Sequence, residues 1–347
     1  MINKSENIKV GISIGDLNGI GAEVVLKTFD DNRMLEMCTP VIFANVKVLS
    51  FLRKNLQLTA NLHGIDKMDQ IVEGKINVLN IWREGVNLEF GKNDEVVGKY
   101  AVKSFIAATN ALKEGLVDIL VTAPINKYNI QSEEFTFPGH TDYLNQELEG
   151  NALMLMVYDK LRVGLLTDHV PVNEVVNLLT PELLTQKIET IKKTLIQDFG
   201  ISKPKIAVLG LNPHCGDNGV IGKEDDAIIR PTLKKIFDEG TLAFGPYASD
   251  SFFGSSQYEK YDAILAMYHD QGLIPFKTLS FGNGVNYTAG LNKIRTSPDH
   301  GTAYEIAGKG LANPNSFREA LYLAVDVFYK RNEYQKLTEK ALKVRQA

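Results

Sequence analysis

Short runs of apolar residues alternate with longer stretches in which apolar positions recur at helical spacing. Lys9–Ile14, Pro40–Ala44, Ile76–Leu79, Val117–Thr122, Lys205–Leu209 and Tyr261–Ala266 are strand-length and rich in Val, Ile and Leu, the signature of strands buried on both faces. Ala152–Tyr158 and Leu161–Thr167 flank the turn pair Asp159-Lys160 and predict two paired strands. Helices are expected over Gly19–Phe29, Glu95–Glu114, Pro181–Phe199, Glu224–Glu239 and Pro314–Leu342. In Glu95–Glu114 the apolar stripe is Val97, Ala101, Phe105, Ala108 and Leu112. This alternation predicts an α/β protein with a mostly parallel sheet, whose sites form beyond the carboxyl ends of strands.

With 347 residues, 44% of them hydrophobic, the chain is long enough for more than one domain. The division expected from size is one lobe of residues 1–130 with ~290–347 and a second of ~131–290. A net charge of −4 gives no basic field for nucleic acid. No apolar run approaches the ~20 residues of a membrane helix, and the polar start Met1–Val10 lacks the apolar core of a signal peptide. Two cysteines, Cys38 and Cys215, make no disulfide framework, so a reducing, cytoplasmic setting is expected.

The chemistry concentrates in histidine motifs. Five of the six histidines lie in Gly-, Pro- or Asp-flanked motifs: Gly139-His140-Thr141, Thr167-Asp168-His169, Asn212-Pro213-His214, Tyr268-His269-Asp270 and Asp299-His300-Gly301. His169, His214 and His269 each follow a strand by a few residues and read as ligands of a divalent metal. Three imidazoles suit Zn²⁺ best, with Co²⁺, Mn²⁺ and Mg²⁺ as the other options. Taken singly, each is better read as a hydrogen-bonded loop histidine; three in such similar contexts favour the ligand reading. The same three would also serve a metal-dependent hydrolase or lyase. Asp168 and Asp270 stand beside two of them as orienting carboxylates. Thr141 is placed to cap a helix over Asp142–Leu148, where free backbone N–H groups suit an anion; a plain N-cap accounts for the motif equally. Lys277, Asn286 and Arg295 lie in a Gly- and Asn-rich stretch with few charges and suit a phosphate or carboxylate. Gly15–Gly21 joins a strand to a helix but is neither a Walker A loop nor a GxGxxG fingerprint.

Read together, GISIGDLNGIGAE, VTAPINK, FPGHTDYL, LLTDHVP, LGLNPHCGDNGVIGKED, YHDQGLIPFK and GVNYTAGLNKIRTSPDHGTAYEIAGKG resemble the 4-hydroxythreonine-4-phosphate dehydrogenases of pyridoxal phosphate biosynthesis. They run in order from residue 11 to 310. The resemblance implies a two-lobed α/β/α fold like that of isocitrate and isopropylmalate dehydrogenases, with the active site in the interlobe cleft. It implies a homodimer with its site shared across the interface, and a divalent metal on His169, His214 and His269, one of them from across that interface. Substrate residues would be His140, Thr141, Lys277, Asn286 and Arg295. The cofactor, NAD or NADP, would lie on a loop that includes His300, Gly301, Thr302, Ala303 and Asn313. The implied reaction oxidises 4-phosphohydroxy-L-threonine to 2-amino-3-oxo-4-phosphooxybutanoate, which decarboxylates to 3-amino-2-oxopropyl phosphate. Asp250 and Lys277 are the candidates for the catalytic base. Threonate or erythronate 4-phosphate is the alternative substrate. Leu17-Asn18 and Asp217-Asn218 stand where the family pattern has Pro-Ala and Glu-Gly.

Overall fold

The computed structural model describes residues 7–339. The protein is a mixed α/β fold that divides into two compact units. Among the described residues, one unit takes 7–150 with Leu291–Val325, the other Asn151–Gly290 with 326–339.

In the first unit the strands are β1 (Lys9–Ser13), β2 (Thr39–Ala44), β3 (Leu62–Ile65), β4 (Ile76–Asn80) and β5 (Ile119–Thr122). The second unit contributes β6 (Gly150–Tyr158), β7 (Leu161–Leu165), β8 (Ile206–Leu209), β9 (Ala243–Tyr247), β10 (Ala263–Ala266) and β11 (Val285–Leu291). The last strand, β12 (Arg295–Pro298), returns to the first unit.

The first unit's strands run β3-β4-β2-β1-β5-β12, with every neighbouring pair parallel. β2 and β5 are buried at every position, as a sheet covered on both faces requires. The helix Glu95–Lys113 begins where Asp94 accepts the Val96 and Val97 amides. It buries the expected stripe of Val97, Ala101, Phe105, Ala108 and Leu112. At Gly98 the helix touches the loop after β5: an added Cβ would stand 2.0 Å from the Asn129 carbonyl oxygen.

The second unit's order is β11-β6-β7-β10-β8-β9. β6 and β7 pair antiparallel, and the strands from β7 to β9 are parallel. Asp159, at φ 49°, closes the turn between β6 and β7. The helix Pro181–Gln197 starts at the Thr180 cap with proline in its first turn, and buries Leu184, Ile188, Ile191 and Leu195. Met156, Val163, Leu165, Leu209, Phe252, Ile264, Leu273 and Phe276 form the core under the strands.

The structure differs from the sequence expectation at the unit boundaries and in several elements. Residues 131–150 belong to the first unit, because Phe135 and Tyr143 pack their rings on Phe105. The end of the last helix, Asn315–Glu339, belongs to the second, where Arg331 pairs with Asp198. The expected continuation of that helix through Leu342 lies outside the described residues. A helix forms over His269–Ser280, a stretch with no element expected from the sequence. Gly272 is there for packing: a Cβ would meet Leu165, Ala266 and Val163 at 2.8 to 3.0 Å.

Candidate active-site residues

In the first unit, a cationic cluster forms at the carboxyl end of β5. Arg295, at the start of β12, is 2% exposed and donates through Nε (3.1 Å) and Nη2 (2.5 Å) to Thr122 Oγ1. Burial pushes its guanidinium down to about 9, which still leaves it charged at neutral pH. His140 opens the helix His140–Glu147 and sets its ring edge-on to Phe105 at 4.5 Å. Burial, and then the charges of Arg295 and Lys127, hold the imidazole well below its ordinary value of 6.5. The ring is therefore neutral, and its Nε2 is buried without a partner, as is Asp142 Oδ2. Thr141 lies inside the first turn; the N-cap is Gly139, which provides no side-chain cap, so the helix begins two residues earlier than expected. Lys127, unnoticed in the sequence, belongs to this cluster through its charge on His140. Two cations around a neutral imidazole suit a phosphate or carboxylate.

The segment His300–Asn313 is held by its backbone. Buried Asp16 accepts from Tyr304 Oη (2.6 Å), Asn129 Nδ2 (2.8 Å) and the Asn18 amide (2.8 Å). The Ile20 amide donates to the Thr302 carbonyl at 3.0 Å. Lys27 Nζ donates to the Gly310 and Ala312 carbonyls, while Glu23 accepts the Ala312 amide. The Gly15–Gly21 turn thus works as a clamp on this segment. Ala303 sits at φ 43°, and His300 Nε2 is buried without a partner. Gly301 has open space around it, whereas Asn313 Oδ1 accepts the Asn315 amide and so starts the last helix.

In the second unit, His169 follows β7 and His269 follows β10 at the start of its helix. Their rings lie 6.1 Å apart between centroids. With metal–nitrogen bonds of about 2.0 Å and a ring radius of about 1.2 Å, two imidazoles on one tetrahedral ion have centroids about 5.2 Å apart. The two rings are therefore near neighbours, set wider than two corners of one tetrahedral site. Asp270 Oδ1 lies 2.7 Å from His269 Nδ1 and orients that ring, while Asp168 Oδ1 accepts the His169 amide. His214 lies in the turn Pro213–Gly216 after β8, at φ 52°, followed by Cys215, Asp217 and Asn218 also at positive φ. Such non-glycine conformations each cost about 1–3 kcal/mol and persist only under constraint. Buried Asp225 supplies it, accepting the Leu211 and Asn212 amides and Asn212 Nδ2 at 2.9 to 3.0 Å. Among the described residues of the single chain, no group of three His, Cys, Asp or Glu side chains converges as a metal site.

His214, Asp250, Tyr268 and Asp270 line a hollow of about 760 Å³ in the second unit. Lys277 is exposed in the last turn of its helix, and Asn286, on β11, keeps a buried Oδ1 without a partner. Cys215 is a buried thiol pushed up by burial, which suits packing.

Residues 36–324 match the family model described as pyridoxal phosphate biosynthetic protein PdxA. A 4-hydroxythreonine-4-phosphate dehydrogenase from Bacteroides thetaiotaomicron is 49% identical, over 98% of this chain and 93% of its own length. One from Sulfurihydrogenibium is 39% identical, over 92% and 98%. The crystal structure of 4-hydroxythreonine-4-phosphate dehydrogenase from Klebsiella pneumoniae superposes with a TM-score of 0.79 at 31% identity, covering 94% of this chain and 99% of that one. Fold and relatives together define a dehydrogenase of mixed α/β architecture. The chain belongs to the 4-hydroxythreonine-4-phosphate dehydrogenase family, PdxA.

Proposed function

We propose that this protein oxidises 4-phosphohydroxy-L-threonine with NAD or NADP, in the route to pyridoxine 5′-phosphate. The observation that carries the reading is the side-chain cluster of the first unit: a neutral, partly unpartnered His140 beside the charges of Arg295 and Lys127. An ester phosphate or a carboxylate meets both needs there. Arg295 anchors the anion, and His140 Nε2 and Thr141 bond it; Lys277 and Asn286, in the second unit, are further substrate residues that the family resemblance implies.

His169 and His269 hold a divalent ion together with a third imidazole, His214, contributed by a second copy of the chain. When bound, that ion polarises the substrate hydroxyl and lowers its pKa. The segment His300, Gly301, Thr302, Ala303 and Asn313 receives the nicotinamide nucleotide, which accepts the hydride. Asp250, or Lys277, takes the hydroxyl proton. Asp270 keeps the His269 ring turned to its task. The C–H and O–H bonds next to the phosphorylated carbon break and a ketone forms, giving 2-amino-3-oxo-4-phosphooxybutanoate. Loss of CO₂ from this β-keto acid leaves 3-amino-2-oxopropyl phosphate.

The test is absorbance of reduced nicotinamide on mixing protein, substrate and NAD or NADP, with and without a chelator. Metal-dependent reduction is the expected result. Reduction only with threonate or erythronate 4-phosphate would move the substrate, and silence with all three would refute the reading. Mixing His214→Ala with His269→Ala protein checks the shared site: activity regained in the mixture is expected, and none regained would remove the second copy from the site.

A further inference from the structure

One side chain outside the proposed ligands joins the segments that carry them. Gln271 lies in the first turn of the helix His269–Ser280. Its Oε1 accepts the Met267 amide at 2.6 Å, two residues before His269. Its Nε2 donates to the Gly210 carbonyl at 2.7 Å, four residues before His214. The same Nε2 donates to Ser249 Oγ at 2.8 Å, next to Asp250. The other face of Met267 completes the set. Its carbonyl accepts from the Thr167 amide (3.3 Å) and from Thr167 Oγ1 (2.8 Å), two residues before His169.

The arrangement matters because these segments have no common local origin. They follow β7, β8, β9 and β10, and nothing in their own sequences sets the distance between them. An amide group has one acceptor and two donors in a fixed plane, so saturating all three ties two backbones and the Ser249 hydroxyl together at once. A site must hold its groups within fractions of an ångström to work.

We propose that Gln271 is a positioning residue: its amide sets the mutual registry of the segments carrying His169, His214, Asp250 and His269. This rests on the proposed function for what the segments do, and on hydrogen bonds alone for how they are held. Gln271→Met keeps the volume and removes every bond. Gln271→Glu keeps the acceptor for Met267 and sets a carboxylate against the Gly210 carbonyl, so it isolates the donor side.

The two cysteines supply a readout independent of catalysis. Cys215 lies one residue past His214 and is 5% exposed; Cys38 lies in the first unit at 0%. Labelling by a thiol-exchange reagent, resolved by peptide mass, reports opening at each. In Gln271→Met, Cys215 should react at least about tenfold faster, since losing one hydrogen bond gives roughly that factor and the variant loses three, with Cys38 unchanged. kcat should fall on the order of 100-fold at an unchanged KM for the nicotinamide nucleotide. Gln271→Glu should fall between wild type and Gln271→Met in both measures. Unchanged Cys215 labelling overturns the proposal, as does a rise at Cys215 and Cys38 together in both variants. Should the wild-type protein oxidise none of the three substrates, the functional reading falls, and the labelling still decides the role of Gln271.

Discussion

Arg331→Leu probes the buried network that fastens the last helix to the second unit. Arg331 Nε bonds Asp198 Oδ1 at 2.7 Å, Nη2 bonds Asp198 Oδ2 at 2.9 Å, and Nη2 bonds Tyr287 Oη at 2.9 Å. Tyr287 in turn donates to Asp198 Oδ2 at 2.7 Å. The ion-pair side chains are 8% and 0% exposed, so water does not replace a lost partner. Removing the guanidinium strands a carboxylate that keeps the Tyr287 hydroxyl as its main donor. An uncompensated buried charge of this kind costs about 3–5 kcal/mol. At roughly 2–4 °C per kcal/mol for a domain of this size, the unfolding transition of the second unit should fall by about 6–20 °C. The assay is calorimetry with urea titration as a cross-check. Asp198→Leu/Arg331→Leu should recover most of the loss, since an apolar replacement of a whole buried pair is often neutral. A single variant within about 1 kcal/mol of wild type, or a double variant no better than the single one, would refute the account.

Three further expectations follow from local geometry. His140 is held neutral in the folded state, so from pH 6.5 downward the unfolded chain takes up a proton that the native state refuses. The stability it contributes is whole above pH 6.5 and is lost as pH falls below it; urea titrations from pH 7.5 to 5 should give a flatter slope in His140→Asn. Gly98→Ala should destabilise by about 1–3 kcal/mol in thermal melts, although alanine ordinarily favours a helix, because its Cβ meets the Asn129 carbonyl oxygen. Tyr304→Phe removes a 2.6 Å bond to Asp16 and should cost about 1.5–3 kcal/mol. It should also raise the KM for the nicotinamide nucleotide more than it lowers kcat.

Local pattern carried much of this protein. Buried strands such as β1 and β5, and the stripe of Glu95–Lys113, were legible because side-chain periodicity depends only on near neighbours in the chain. The histidine motifs stood out because Gly, Pro and Asp mark strand-to-loop junctions, and His169 and His214 do follow strands there. What the chain alone could not display depends on partners far away in sequence. Gly272 and Pro275 disfavour a helix by local propensity, yet β7 and β10 require a residue without a side chain at 272 and the helix runs through both. The neutrality of His140 comes from its burial and from Arg295, 155 positions further on (295 − 140). Residues 131–150 joined the first unit and Arg331 the second through edge-on and tilted ring packing and a buried ion pair, neither of which leaves a local trace. Sequence thus determined the elements and the kinds of side chain available for chemistry. Tertiary structure alone decided which of them meet, because desolvation, close packing and hydrogen-bond satisfaction are properties of groups brought together from distant parts of the chain.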